Sequence, residues 1–283
     1  MSSLSSDAVW FITGCSTGFG RVLAQDALAR GYRVVVTARD PNQLDDIVAA
    51  YPDRALKLKL DVTREGDIAA AIKATNAAFG GIDVLVNNAG IGYFGAVEES
   101  EDPAVRHMFE VNFWGLANMT RAALPGMRQR RTGHIVNISS IGGVRGGPGV
   151  GYYNATKFAL EGLSEALAKE VSPLGIKVLL IEPSGFRTDW AGRSADETKT
   201  QIDDYATTAG ARRAQIRKNS GRQAGDPVRA AAAIIDAVEA KDPPFRLLLG
   251  HVALTAGLEK AAELAREFET WASVSKNADF PKT

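Results

Sequence analysis

Tyr153 and Lys157 stand four residues apart at the start of an apolar-periodic stretch, residues 152 to 171. Residues at i and i+4 share a helix face, so a phenol and an ammonium point into the same space. A phenol with an ordinary pKa of about 10 is a poor acid–base group at neutral pH, and a nearby cation favours its ionised form. The pair is suited to moving a proton on and off an oxygen. Alone the spacing says little, because surface helices produce Tyr-x-x-x-Lys often. Its company says more. Ser139-Ser140 closes a strand-like run over residues 134 to 138, and a glycine-rich loop over 142 to 151 leads on to Tyr153. The C-terminal edges of strands in a parallel sheet face the ligand crevice, where a serine can hydrogen-bond a substrate oxygen. A strand-end serine can also simply cap a turn, a role that suits Ser139 better than Ser140.

A second chemistry-bearing segment is Thr13-Gly14-Cys15-Ser16-Thr17-Gly18-Phe19-Gly20, which follows an apolar strand-like run and opens a helical pattern. Glycines let a backbone turn sharply and approach a pyrophosphate, and a helix N-terminus supplies N–H donors and positive potential. An isolated glycine-rich turn means little; the strand before and the helix after point to a dinucleotide, bound by Gly14, Ser16, Thr17, Gly18, Phe19 and Gly20. The next strand ends Val36-Thr37-Ala38-Arg39. An acidic residue there would hold ribose hydroxyls, whereas an arginine suits a 2′-phosphate. Ala38 and Arg39 favour NADP(H) over NAD(H), although Asp40 beside them weighs the other way and NAD(H) stays open.

The elements that must position these groups read as alternating strands and helices around a parallel sheet. Strands are expected over residues 9 to 12, 33 to 37, 55 to 60, 82 to 86, 134 to 138, 177 to 181 and 245 to 249. Most are apolar on both faces, as strands covered by helices on each side must be. The first helix should run to about Arg30, with Gly31 ending it. Asp102-Pro103 and Asp226-Pro227 each place a carboxylate before a proline at a helix start. This predicts one α/β domain over residues 1 to 283, a Rossmann-type doubly wound sheet of about seven strands with helices on both faces. Residues 189 to 225 are polar and weakly periodic, the expected place of a mobile lid. An amphipathic helix should open at Gly257 and run to about Ala272, against the domain or a partner subunit.

The motifs together resemble the classical short-chain dehydrogenases/reductases. Thr13-Gly14-x-x-x-Gly18-x-Gly20, Asn87-Asn88-Ala89-Gly90, Ser140, Tyr153-x-x-x-Lys157 and the Pro183 turn occur in that family's order, matching residues 8 to about 190 closely. The resemblance selects Ser140 over Ser139 and adds Asn112, which otherwise reads as a buried helix asparagine. It implies a catalytic set of Asn112, Ser140, Tyr153 and Lys157. Tyr153 would exchange a proton with the carbonyl or alcohol oxygen, which Ser140 polarises. Lys157 would hold the ribose and lower the tyrosine pKa, and Asn112 would complete a water relay. Asp61 and Val62 would line the adenine, Asn88 and Gly90 would lie beside the ribose, and Pro183, Phe186 and Thr188 beside the nicotinamide. Two departures stand out: Pro183-Ser184-Gly185 displaces the usual glycine by one, and Ser16-Thr17 supplies no basic residue inside the turn. The extended branch of the family needs glycine at position 17.

Composition sets the bounds. Lys+Arg and Asp+Glu are equal at 33 each, so no overall field recruits nucleic acid or an anionic membrane. No apolar run reaches the ~20 residues of a membrane span. The single cysteine, Cys15, cannot form an internal disulfide, and the polar start lacks a signal-peptide core, so a cytoplasmic protein is expected. His107, His134 and His251 lack ligand spacing, so no metal site is expected. Phe113 and Trp114 read as helix packing, and Tyr93, Phe94, Tyr152 and Trp190 as core or pocket lining. A homodimer or homotetramer is expected. Residues 186 to 190 and the long C-terminal part look like hydroxysteroid- and retinol-dehydrogenase-like members, hinting at an apolar ketone or alcohol. The alternatives are a 3-oxoacyl-thioester reductase, for which the neutral charge offers no basic docking surface, and a non-catalytic redox sensor, which would not need all four catalytic positions filled.

Overall fold

Strand periodicity explains the architecture of the computed structural model, which describes residues 4 to 280. In β1 (Val9–Ile12), Trp10 and Ile12 face one layer while Val9 and Phe11 face the other. A strand's side chains alternate across the sheet, so a run apolar throughout demands cover on both sides. The same alternation holds in β2 (Arg33–Ala38), where Val34 and Val36 join the first layer and Val35 the second. The other sheet strands are β3 (Ala55–Lys59), β4 (Val84–Asn87), β6 (Gly133–Ile138), β7 (Ile176–Pro183) and β9 (Arg246–Leu249). They form a seven-stranded sheet in the order β3-β2-β1-β4-β6-β7-β9, every pair parallel.

Helices α1 (Gly18–Ala29) and α8 (Pro227–Glu239) cover the first face, through Leu23, Leu28, Ile234 and Ile235. The second face is covered by α3 (Glu65–Phe79), α5 (Leu116–Arg130) and α6 (Gly151–Val171), through Ile68, Met119 and Leu167. A short α2 (Asp45–Ala50) follows β2, and α4 (Asp102–Phe109) precedes a π-helical turn over Glu110–Gly115. The chain builds outward from β1 to β3, then returns to place β4 on the other side of β1. That reversal opens a crevice at the strand C-termini, where such sheets bind ligands.

The expected fold class and all seven sheet strands are present. Three local features differ. A two-stranded parallel ladder joins β5 (Gly92–Phe94) to β8 (Ala195–Glu197), and runs of three residues are too short to show a period. Residues 189 to 225 are more ordered than a loop, since they hold β8, a π turn over Ala206–Gly210 and α7 (Ala211–Lys218). They are tied to the core where the Thr198 N–H donates to Phe94 O at 2.8 Å and the Ile202 N–H to Glu99 Oε1 at 2.8 Å. Finally, α9 (His251–Thr270) starts six residues before Gly257, and α10 (Ala272–Lys276) follows it. Gly257 is no helix opener: a Cβ there would lie 2.9 Å from Leu248 Cδ1, so glycine lets α9 approach β9.

Candidate active site

The cofactor turn is assembled by Thr13 and Asn88. Thr13 Oγ1 accepts hydrogen bonds from the Asn88 and Ala89 N–H groups, each at 2.9 Å. Asn88 Nδ2 donates to Thr13 O at 2.8 Å and Gly14 O at 3.0 Å. The end of β4 and the turn after β1 are thereby one unit, with Gly14 and Gly18 at φ +71° and +61°. Beyond the turn, α1 starts at Gly18 with no side-chain cap from Thr17 and no acidic residue in its first turn. Its leading N–H groups therefore remain available to an anion. Gly14, Ser16, Thr17, Gly18 and Phe19 line the crevice, but Gly20 does not. A Cβ on Gly20 would collide with Asn88 Nδ2 and Gly14 O, so this glycine serves packing behind the turn. Cys15 is buried, its thiol donating to Ile12 O at 3.2 Å and pushed up to about 12 by burial.

At the end of β2, Arg39 is exposed on the crevice wall, and among the described residues no carboxylate pairs with it. Asp40 is turned away: its carboxylate accepts from the Asn42 N–H at 3.1 Å and caps a short 3₁₀ turn. Asp61 and Val62 line the same end. Asp61 Oδ1 accepts from the Thr63 N–H at 3.0 Å and hydroxyl at 2.7 Å. Burial opposes its ionisation, but these bonds and the nearby Arg64 and Arg39 charges hold it below its usual range.

At the other end Tyr153, Ser140 and Lys157 converge on one wall. Ser140 Oγ accepts from the Gly142 N–H at 3.0 Å, leaving its proton free, and lies in hydrogen-bonding contact with the Tyr153 phenol. Ser139 is absent from this role, because its hydroxyl donates to Glu161 on α6. Lys157 Nζ donates to Ile138 O at 2.8 Å and lies 5.7 Å from the centre of the Tyr153 ring. Burial pushes the phenol up to about 12, with Ser140 opposing, and draws Lys157 down to about 8, with Glu161 opposing. The expected lowering of the tyrosine does not appear here, because taking the phenolate out of water dominates.

Asn112, inside the π turn and 2% exposed, does not line the crevice. Its Oδ1 accepts from the Ile91 N–H at 2.8 Å, and its Nδ2 donates to Ile91 O at 2.9 Å and Thr156 Oγ1 at 3.2 Å. The amide clamps Ile91, in the segment after β4, to α6 and has no side-chain donor left for a water relay. Pro183, Phe186 and Thr188 line the crevice. The displaced glycine is accommodated because Ser184 N–H donates to Leu249 O at 3.0 Å, joining the turn to β9. The Phe186 ring packs on Phe19, centroids 5.1 Å apart.

These groups share one cavity of about 1170 Å³ with Gly90, Ile91, Val111, Val150, Ile216 and Val252. Of the four flanking aromatics only Trp190 lines it. Its ring packs on Tyr153 at 4.8 Å and edge-on to buried Phe94 at 5.6 Å. Tyr93 is buried with its hydroxyl on Glu101, and Tyr152 packs behind it. Two groups escaped the sequence reading. Arg217 on α7 donates to Ala191 O at 3.1 Å, Gly192 O at 2.9 Å and Ala195 O at 3.0 Å, fixing the turn that carries Trp190. Beyond Lys157 lie two buried carboxylates, Glu161 and Glu182, bridged by the exposed Arg246. Glu161 carried a signal, a carboxylate one turn past Lys157 on the buried face of α6; Arg246 carried none.

Known proteins share this fold. The short chain dehydrogenase family pattern matches residues 8–199. A short-chain dehydrogenase structure from Streptomyces avermitilis superimposes with a TM-score of 0.89 at 44% identity, covering 96% of this chain and 100% of that one. A short-chain dehydrogenase/reductase from Burkholderia phymatum, solved with NAD, gives a TM-score of 0.80 at 25% identity over 98% of both chains. The 3-ketodihydrosphingosine reductase of Bacteroides thetaiotaomicron is 41% identical over 240 residues, 84% of this chain and 86% of the relative. The chain belongs to the short-chain dehydrogenase family and is an oxidoreductase acting on CH–OH and C=O groups with a nicotinamide dinucleotide. No helix among the described residues is long and apolar enough to cross a membrane, and no group of His, Cys, Asp or Glu there could hold a metal ion.

Proposed function

We propose that the protein uses NADP(H) to interconvert an apolar ketone and its secondary alcohol. The observation that carries this is one cavity holding both the Ser140–Tyr153–Lys157 wall and the uncapped α1 N-terminus with Arg39 beside it. The α1 N–H groups and the glycine turn suit the pyrophosphate, and Arg39 suits the 2′-phosphate. Asp40, turned into its own cap, brings no carboxylate against that phosphate. Gly14, Ser16, Thr17, Gly18 and Phe19 would hold the dinucleotide, with Asp61 and Val62 at the adenine, Asn88 and Gly90 at the ribose, and Pro183, Phe186 and Thr188 at the nicotinamide. When bound, the nicotinamide supplies or accepts the hydride.

The chain's own residues handle the proton and the oxygen. Ser140 donates a hydrogen bond to the carbonyl oxygen, and Tyr153 gives it a proton as the carbon is reduced; in oxidation the proton returns to the phenolate. The Lys157 ammonium stabilises that phenolate and contacts the ribose. The Asn112 side chain, committed to Ile91 and Thr156, supports the site by holding Ile91 against α6. Burial favours the protonated phenol, the form that donates when the carbonyl is reduced. Ile91, Val150, Trp190, Ile216 and Val252 give the cavity apolar lining beside the polar Arg193, Arg212 and Gln215, and the apolar reading is supported by the Bacteroides relative named 3-ketodihydrosphingosine reductase. We read residues 1 to 283 as one catalytic domain with residues 189–225 as its substrate cover, in a cytoplasmic homodimer or homotetramer.

Thermal unfolding with NADPH or NADH, followed by turnover of aliphatic ketones of increasing chain length, tests the reading. NADPH should raise the Tm more than NADH, and turnover should rise with chain length. No stabilisation by either cofactor would overturn it.

A further inference from the structure

The mechanism above leaves unused a cluster of buried charge beneath its reacting groups. Glu161 lies one turn beyond Lys157 on α6 and is 5% exposed; Glu182, on β7, is 1% exposed. Arg246 Nη1, from the start of β9, donates to Glu161 Oε2 and, at 2.5 Å, to Glu182 Oε1. The Ser139 hydroxyl donates to Glu161 Oε1, so both oxygens of that carboxylate are held. The other charged groups facing the cluster are Lys157 and Glu165 on α6, the latter 3.9 Å from Arg246 Nη2.

Two buried carboxylates share one guanidinium, that of Arg246, whose side chain reaches solvent. Like charges so placed resist ionising together. Burial and the charge on Glu161 push Glu182 up to about 7, while Arg246 pulls the other way. Arg246 and the Ser139 hydroxyl hold the Glu161 carboxylate one turn from Lys157, and Glu161 is the group that opposes the loss of the Lys157 proton to burial.

We propose that Glu161, fixed by Arg246 and Ser139 and paired with Glu182, is a positioning residue that keeps Lys157 charged beneath Tyr153. Glu182 adds a second negative charge when it gives up its proton, extending that support to higher pH. The inference rests on the reading of Lys157 as the cationic partner of Tyr153.

The test is the pH profile of kcat for NADPH-dependent reduction of a ketone the wild type turns over, with NADPH affinity measured alongside. An opposite charge at short range shifts a pKa by about 1–3 units. In Glu161→Gln the alkaline limb should move down by about one pH unit, so kcat falls most at high pH. In Glu182→Gln, which keeps the Glu161 charge, the limb should move by about half as much. Equal loss at every pH, or an unmoved limb in variants that unfold cooperatively, overturns the proposal. Should Glu161→Gln fail to fold, an unmoved limb in Glu182→Gln suffices to overturn it. Tyr153→Phe run in parallel separates the two readings. If it keeps turnover, the site reading fails; if it loses turnover while both limbs stay put, only this inference fails.

Discussion

Replacing Asn112 with alanine should damage stability and turnover together. The asparagine is 2% exposed, and its amide both accepts from the Ile91 N–H at 2.8 Å and donates to Ile91 O at 2.9 Å. Alanine removes both partners from a half-buried backbone. An unpaired buried polar group costs about 1–3 kcal/mol, and partial exposure of Ile91 places each loss at the lower end, about 1–1.5 kcal/mol. The lost bond to Thr156 adds under ~1 kcal/mol, because the Thr156 hydroxyl keeps its bond to Tyr153 O at 2.8 Å. The sum is about 3 kcal/mol. For a chain of this size about 2–3 °C of Tm accompanies each kcal/mol, so Tm should fall by about 6–9 °C. Asn112→Asp keeps an acceptor for the Ile91 N–H and loses the donor, and should fall in between. Turnover should drop more than tenfold in the alanine variant, because Ile91 lines the cavity and Thr156 adjoins Tyr153. Circular-dichroism melting and steady-state kinetics check both values. A Tm within about 2 °C of wild type, in a variant with unchanged turnover, would refute the clamp.

Two further outcomes follow. Arg39→Ala should weaken NADPH about tenfold, the low end expected for a charge-assisted bond from an exposed arginine, and leave NADH nearly unchanged; equal losses in titrations with the two cofactors would make Arg39 incidental. His134, in β6, is held down at about 4 by burial first and by the Lys177 charge second. The unfolded chain takes up a proton below about 6.5 that the folded chain refuses down to about 4, so stability falls with pH across that window by up to about 1.4 kcal/mol per unit. His134→Gln should flatten that slope in denaturant titrations at pH 6.5 and 5, and an unchanged slope would assign it to other groups.

The readable parts of this protein were those where one residue type has one physical use. Runs apolar on both faces, such as Val34-Val35-Val36, can only be strands covered on each side, and the sheet followed from them. The glycine turn and Tyr153-x-x-x-Lys157 were legible because local spacing fixes their geometry. Contacts made over long sequence separations were not. Nothing near Arg246 announces that it meets Glu161, 85 residues away. Arg217 likewise looks like any helix arginine until β8 and its turn are in place. Gly20 and Gly257 were misassigned because a glycine's spacing does not reveal what would collide with a Cβ. Phe94 and Tyr93 could be read as core or pocket lining, and the ladder with β8 places both in the core. The lysine's influence on Tyr153 was overread, since burial acts on both groups and no motif records it.

The central claim is that Tyr153 supplies the proton as hydride moves at a nicotinamide held in this cavity. The most direct measurement is single-turnover hydride transfer from NADPH to a ketone substrate in Tyr153→Phe, with cofactor affinity measured on the same preparation. The account predicts a loss of at least about 10²-fold in the transfer rate, the scale of general acid catalysis, with NADPH affinity within a few-fold of wild type. A transfer rate equal to wild type in a variant that binds NADPH normally would contradict it.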